Sequence, residues 1–323
     1  MEFNQVQQGQ IDVSIIVVSY NTCEMTLEAL RSVYRETNES CFELIVVDNA
    51  SSDGSAEAIA NEFPDVRLMA ETENHGFARA NNLAARYAVG QYLLLLNPDT
   101  VVLDKAIDRL IAFARSRPQS GIWGGRTLFG DRSLNPTSCW RRMTLWNVFC
   151  RVSGLARIFR KSGFFNSEAY GNWPRDSVRE VDIVTGCFFL ITRKLWEELG
   201  GFSPEFFMYG EEADMCLRAR RLGVRPAVTP EATIIHYGGA SEKVRADKMV
   251  RIMRAKVHLM YCHWSRPKFY LGLWLYYIWV YSRVFFYKLV KSSGAEGAGG
   301  EDYDAWRSLW RARSIWARGF RVV

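Results

Sequence analysis

Polar side chains able to bind or catalyse recur in this 323-residue chain where short apolar runs end. Ser19-Tyr20-Asn21 follows Val13–Val18, Asp48-Asn49 follows Leu44–Val47, and Asn97-Pro98-Asp99 follows Tyr92–Leu96. A carboxylate such as Asp48 can accept a hydrogen bond from the N3–H of uracil or thymine. Asn97 and Asp99 can hold a divalent cation on a diphosphate, because Mg2+ and Mn2+ are hard ions that take one or two carboxylates plus phosphate oxygens. One Asp of this kind is more often a helix cap or turn residue. Two at corresponding positions, with Asp53-Gly54 and Asn74-His75-Gly76-Phe77 on neighbouring loops, point to a shared site. Further along, Gly210-Glu211-Glu212-Ala213-Asp214 opens a helical pattern, where the macrodipole favours acidic residues whatever their task. His236 closes another short apolar run and is open to two readings, a packed residue or a ligand; His75 reads as a loop residue.

The elements that must position these residues follow from periodicity. Val13–Val18, Leu44–Val47, Val66–Met69 and Tyr92–Leu96 are near-continuously apolar, as strands covered on both faces of a parallel sheet are. Helical stretches lie between them at about 24–36, 55–63 and 78–88, and another spans about 105–116. Strands alternating with helices predict an open, doubly wound α/β sheet, whose ligands sit beyond the carboxyl ends of the strands. Ile122–Leu128 continues the pattern, then residues 130–180 read as an insertion of loops and short helices. Val181–Ile191 reads as a strand, Arg193–Leu199 as a helix, and Val224–Val228 and Thr233–His236 as short strands. No GxGxxG follows the first strand and no GxxxxGK[ST] occurs, which removes the basis for dinucleotide and P-loop readings.

Composition is that of a globular protein, 48% hydrophobic and 24% charged, excluding disorder and disulfide miniproteins. Seven scattered cysteines without a CxxC pair read as reduced thiols and favour the cytosol, and the N-terminus does not resemble a signal peptide. Of 41 Lys/Arg and 35 Asp/Glu, residues 241–323 hold 16 and 6, so a basic C-terminal part adjoins a mildly acidic body.

The segments 13–33, 45–55 (IVVDNASSDGS), 74–84 (NHGFARANNLA) and 92–102 (YLLLLNPDTVV), then 184–202, 206–223 (FFMYGEEADMCLRARRLG) and 234–241 (IIHYGGAS), together resemble the family-2 glycosyltransferases. The likeness is to their non-processive, rhamnosyltransferase-like branch. It covers about three quarters of the chain, and the ordered set is far more specific than any one motif. The resemblance implies a glycosyltransferase A-type fold: a Rossmann-like, mostly parallel sheet flanked by helices, here with a C-terminal helical extension. It implies inverting transfer of one sugar, rhamnose as first guess, from a dTDP- or UDP-sugar to a hydroxyl of a glycan or polyprenyl-diphosphate-linked glycan, in surface polysaccharide synthesis. Tyr20, Asn21, Asp48 and Asn49 would surround the base and ribose, with Asn74 and Asn81 flanking the nucleotide. Asn97-Pro98-Asp99 stands where many relatives have Asp-x-Asp; Asp99 and His236 would hold Mg2+ or Mn2+, and Asn97 is a departure. Glu212 takes the position of the family's general base, with Asp214 as the second candidate. Gly186 stands where the family's backbone passes close to the sugar, although a bulge would also explain it. Competing readings are a sugar nucleotidyltransferase, which would want a basic Gly-rich loop after the first strand, and a non-catalytic carbohydrate-binding protein of the same fold.

These motifs define a catalytic domain over residues 1–241. The family's processive Gln-x-x-Arg-Trp motif is absent. Residues 242–291 read as a helical, aromatic-rich extension, 292–301 as a flexible linker and 302–323 as a basic amphipathic tail. Phe269–Val290 carries ten aromatics, but its uncharged part is too short to span a bilayer. It is either a buried or dimer-forming helix, so that a homodimer is admissible, or an interfacial one. With the Trp- and Arg-rich tail, it would hold the enzyme at the anionic inner face of the cell membrane. Nucleic acid is not an expected partner.

Overall fold

The computed structural model describes residues 10–238, 245–292 and 298–321. Strands β1 (Val13–Ser19), β2 (Phe42–Asp48), β3 (Arg67–Ala70) and β4 (Tyr92–Leu96) alternate with helices α1 (Cys23–Glu36), α2 (Ser55–Glu62) and α3 (Gly76–Ala85). Next come β5 (Thr100–Val102), α4 (Ala106–Ser116) and β6 (Ile122–Leu128). The loop-rich stretch supplies β7 (Leu134–Asn135), β8 (Cys139–Trp140), α5 (Leu145–Val152), α6 (Leu155–Ile158) and β9 (Arg179–Glu180). β10 (Ile183–Val184), β11 (Phe188–Thr192), α7 (Arg193–Glu198), α8 (Glu211–Arg221) and β12 (Ala227–His236) complete the α/β part. The extension consists of α9 (Arg245–His263), α10 (Arg266–Ser292), α11 (Ala298–Arg311) and α12 (Arg313–Trp316).

The main sheet runs β3-β2-β1-β4-β11-β6-β12-β5. β1 pairs in parallel with both β2 and β4, and β6 with β12, while β11 and β5 run against their neighbours. The chain leaves β1 for β2 and β3 on one side and returns to β4 on the other. That reversal opens a crevice at the carboxyl ends of β1 and β4. All seven residues of β1 and all five of β4 are buried, as a strand covered on both faces requires. Alternate residues divide between two layers. Ile16, Val18, Leu93 and Leu95 pack with α3 and α8; Ile15, Val17, Leu94 and Leu96 pack with α1 and α4.

A third apolar cluster lies outside the sheet and joins Met253, Val257 and Met260 of α9 to Phe269, Tyr276 and Val280 of α10. Leu309, Trp316 and Val148 of α5 complete it. The loop-rich stretch and the extension therefore share one core. Glu168 links them: its carboxylate accepts from Arg151 Nη2 at 2.6 Å and Lys256 Nζ at 3.1 Å.

Four expectations change. Val181–Ile191 is two strands, because the chain breaks pairing around Gly186. The two short strands after 224 are one, β12, kept continuous through a register shift between Val228 and Thr233. Of the expected linker, residues 293–297 lie outside the described residues, as does the join at 239–244; Ser292 ends α10, and Ala298 already starts α11. The tail does not present its aromatics outward: Leu309 and Trp316 are buried, and Trp306 and Trp310 pack on Trp279, Tyr277 and Tyr281. Its apolar face is satisfied internally. Phe320 meets Phe206 and His258.

Candidate active site

Ser19, Asp48, Asn97–Asp99 and His236 all stand at one edge of the sheet, since β1, β2, β4 and β12 point the same way. The β2 end is tightly built. Asp48 is buried; its Oδ2 accepts from Ser51 N at 3.1 Å, while Oδ1 has no hydrogen-bond partner among the described residues. A buried acceptor of this kind is costly unless something donates to it, and it faces the end where a ligand would lie. Asn21 adopts φ 52°, and its Oδ1 accepts from Ser52 N at 2.8 Å, tying the loop after β1 to the loop after β2. Tyr20 beside it is partly exposed at the rim. Asn49 is wholly occupied with the scaffold: its Oδ1 accepts from His75 N at 2.9 Å and its Nδ2 donates to Asn74 Oδ1 at 2.9 Å. Asn74 also caps Gly76 N at 2.8 Å. Asn81, inside α3, donates to Phe77 O at 2.8 Å.

At the end of β4, Asp99 Oδ1 lies 3.4 Å from His236 Nε2, and Asp99 Oδ2 accepts from Gly238 N at 3.0 Å. Asn97 Nδ2 is 3.4 Å from the same His236 nitrogen, and its Oδ1 is buried without a hydrogen-bond partner among the described residues. Burial opposes charge on His236, but the Cys187 sulfur and the Asp99 carboxylate beside it prevail and raise its pKa to about 11. Burial likewise works to raise Asp99, and His236 outweighs it, leaving the carboxyl below its ordinary value. This set fits a divalent cation once His236 gives up its proton, which a bound cation would displace: a carboxylate and an imidazole stand together, with the unpartnered amide oxygen of Asn97 nearby. Among the described residues no three His, Cys, Asp or Glu side chains are placed to hold a metal ion by themselves, so the remaining ligands would come from a diphosphate and water, as Mg2+ and Mn2+ prefer.

The second half reaches this edge through α3. Phe77 N donates to Phe207 O at 2.8 Å, and Asn82 pairs with both the N and O of Phe202. Gly76, at φ 74°, sits so close that a Cβ there would stand 2.3 Å from Phe207 O. Only glycine permits this seam. It leads into Tyr209 and Gly210, both left-handed at φ 71° and 91°, which turn the chain abruptly into α8. Glu211 and Glu212 thus stand in the first turn of α8, where the free N–H groups and the dipole favour negative charge. A Cβ on Gly186 would lie 3.2 Å from Phe77 and 3.9 Å from Glu212 Cβ. The next residue, Cys187, accepts from Asn97 N at 3.1 Å. These contacts set Glu212 beside Gly186, whose neighbour Cys187 pairs with Asn97. Burial raises both Glu212 and Glu211, the latter well above the ordinary value with the Glu212 charge adding to it.

Asp214, expected as the second candidate base, is placed otherwise. It accepts from Ser203 Oγ and Arg218 Nε at 2.7 Å and contacts His263 Nε2 at 2.8 Å. Burial would raise it, but His263 and Arg218 lower its pKa to about 2. Two residues along α8 is a turn of about 200° from Glu212, so it faces the protein instead of the cleft. Cys187 and Asn82 escaped the sequence reading. Nothing in their own neighbourhood marks them, because their partners lie about a hundred residues away.

Comparison with known proteins identifies the family and the fold. Residues 14–215 match the model of the family described as glycosyl transferase family 2. The O-antigen biosynthesis protein RfbC of Myxococcus xanthus is 29% identical over 266 residues, 81% of this chain, although the chain spans only 20% of that protein's length. The N-acetylglucosaminyl-diphospho-decaprenol L-rhamnosyltransferase of Mycobacterium tuberculosis is 25% identical over 247 residues, covering 69% of this chain and 75% of its own. A mannosyltransferase from Pyrobaculum calidifontis, solved in complex with GDP-Man and Mn2+, superposes with a TM-score of 0.56 at 18% identity, covering 96% of this chain and 88% of its own. That likeness shows the glycosyltransferase A-type fold, a mixed, mostly parallel sheet with a helical C-terminal region.

Proposed function

The chain belongs to glycosyl transferase family 2, with rhamnosyltransferase-like relatives, and from that premise we propose that it transfers one sugar, with inversion, from a dTDP- or UDP-linked donor to a glycan hydroxyl. The acceptor would be lipid-linked and the pathway one of surface polysaccharide assembly, as the names of the relatives suggest. The observation that supports the reading is the packing of Glu212 beside Gly186, whose neighbour Cys187 pairs with Asn97 at the end of β4, where Asp99 and His236 also stand.

In this mechanism Asp48 Oδ1 accepts from the pyrimidine N3–H, and the Asn21 and Asn49 loops shape the nucleotide pocket. Asn74, in the loop before α3, and Asn81, within it, hold that pocket together. Asp99, His236 and the Asn97 amide oxygen would hold Mg2+ or Mn2+, which supplies charge neutralisation to the diphosphate when bound. Glu212 takes the acceptor hydroxyl's proton as that oxygen attacks the anomeric carbon. The new C–O bond forms on the face opposite the breaking bond, and the electron pair leaves with the nucleoside diphosphate. Burial raises the basicity of Glu212 above that of an exposed carboxylate, which suits it to pull on a hydroxyl proton.

The outer face of α10 supports attachment to an anionic membrane. Leu271, Trp274, Ile278, Tyr281 and Phe285 are exposed along one stripe, and Arg266–Ser292 contains five cations and no carboxylate. Two copies of this face would repel each other, whereas anionic headgroups would attract it. Among the described residues no helix is long and apolar enough to cross a membrane.

A donor panel tests the proposal. Thermal shift with Mn2+ should respond to dTDP or UDP, and transfer should stop in EDTA and yield the inverted anomer by NMR. A response to GDP alone, or a retained anomer, contradicts it.

A further inference from the structure

Behind the catalytic helix lies a cavity of about 680 Å3 that the sugar-transfer chemistry does not use. It is walled by α8, the end of α9, the first turn of α10 and the approach to α5. Arg142, Arg220, Arg221, Arg225 and Lys268 line it, and none of its lining residues is Asp or Glu. Only Arg220 has a carboxylate partner among the described residues, Asp182 at 3.1 Å. Arg221 is oriented by Cys262 O and His263 Nδ1, and Arg225 by Val224 O at 3.0 Å, contacts that aim a guanidinium without neutralising it. Arg142 and Lys268 have no ion-pair partner among the described residues. Cations gathered round one hollow repel unless an anion sits among them, and guanidinium groups match phosphate oxygens in geometry.

Most of the remaining wall is apolar, including Leu145, Trp146, Leu217 and Trp264, with Thr144, His263 and Ser265 as its polar members. Lys268 stands at the foot of the exposed α10 stripe, and Trp146 continues that apolar surface through its rings with Phe149 and Phe164. A free inorganic anion would gain nothing from those walls. An anion attached to a hydrocarbon chain would use both.

We infer that this cavity binds the phosphate or diphosphate head of an amphiphile, with the hydrocarbon chain running out along α10. The inference rests on the reading of the enzyme as acting at a membrane surface, and adds a site distinct from the donor cleft. Ala213 and Leu217 line it, so the head would sit on the reverse side of the helix that carries Glu212.

The test uses the full chain in EDTA, so that a diphosphate does not occupy the donor cleft through a metal. Calorimetry with farnesyl diphosphate should show binding at least tenfold tighter than inorganic diphosphate or farnesol. Arg142→Glu with Lys268→Glu should weaken it tenfold or more, and Arg142→Lys with Lys268→Arg should restore it. Affinity for UDP or dTDP with Mn2+ should stay unchanged in every variant, which establishes that they fold. Sedimentation with phosphatidylglycerol vesicles identifies the source of the phosphate. Binding of vesicles alone, lost in the Glu variant, assigns the site to a bilayer headgroup; binding of farnesyl diphosphate assigns it to a prenyl-linked acceptor. Wild-type affinity of the Glu variant for both probes, no binding of either, or equal affinity for inorganic and farnesyl diphosphate overturns the inference. Sugar transfer by the wild-type enzyme to a water-soluble acceptor is read separately, so failure of the catalytic reading is not confused with failure of this one.

Discussion

Glu212 and Asp214 stand two residues apart in one helical turn and are given opposite characters by what surrounds them. Asp214 is held ionised by Arg218 and His263, whereas Glu212 is desolvated beside Glu211. A base must be ionised to act, and a raised pKa delays ionisation as pH climbs. The acid limb of kcat/KM should therefore lie above the usual carboxylate value near 4.3. A profile measured on the donor-free enzyme with a limb at or below that value would contradict the assignment. The carboxylates themselves were legible in the sequence as an acidic cluster opening a helix, and the family resemblance singled out Glu212 among them. Their division of labour was not: His263 and Ser203 lie 49 and 11 residues from Asp214, and no local pattern announces them.

At the scale of elements, the extension is fastened by charge as well as by its core. Burial would raise Glu168, but Lys256 and Arg151 bring its pKa to about 2. Lys256 is itself lowered, by burial and by Arg151, so the triad contributes less than the carboxylate alone would suggest. Because the folded pKa lies below the ordinary value of 4.5, this stabilisation is full above that pH and disappears as pH falls toward 2. Glu168→Gln would leave two buried cations facing each other. It should destabilise the protein by about 3–5 kcal/mol at neutral pH, read by chemical denaturation. On α10, Trp274→Ser with Phe285→Ser, both exposed, should leave the melting temperature unchanged and weaken binding to phosphatidylglycerol vesicles about tenfold or more. Trp316→Ala, at a fully buried position, should instead cost about 3–5 kcal/mol of stability. Helical spacing revealed apolar faces on both the tail and α10. It could not say which face the protein covers, since that depends on how α9, α10 and α11 pack together, and the tail's Leu309 and Trp316 are buried by that packing.

Across the whole molecule, a sheet that reverses direction at β1 collects distant residues at one edge, and the Gly76–Phe207 seam brings the second half against the first. The α/β architecture was readable because continuous apolar strands and intervening helices have unmistakable periods. The shared core of α5 with α9 and α10 was not readable, because it is made between segments about a hundred residues apart. The central claim is that Glu212 activates the acceptor in a cleft whose donor site is built by other residues. Donor affinity and transfer rate measured together on Glu212→Gln test it most directly. The account predicts donor affinity within about twofold of wild type and a transfer rate lower by about 10²–10⁴-fold. Transfer within a few-fold of wild type, or loss of donor binding in step with activity, would contradict it.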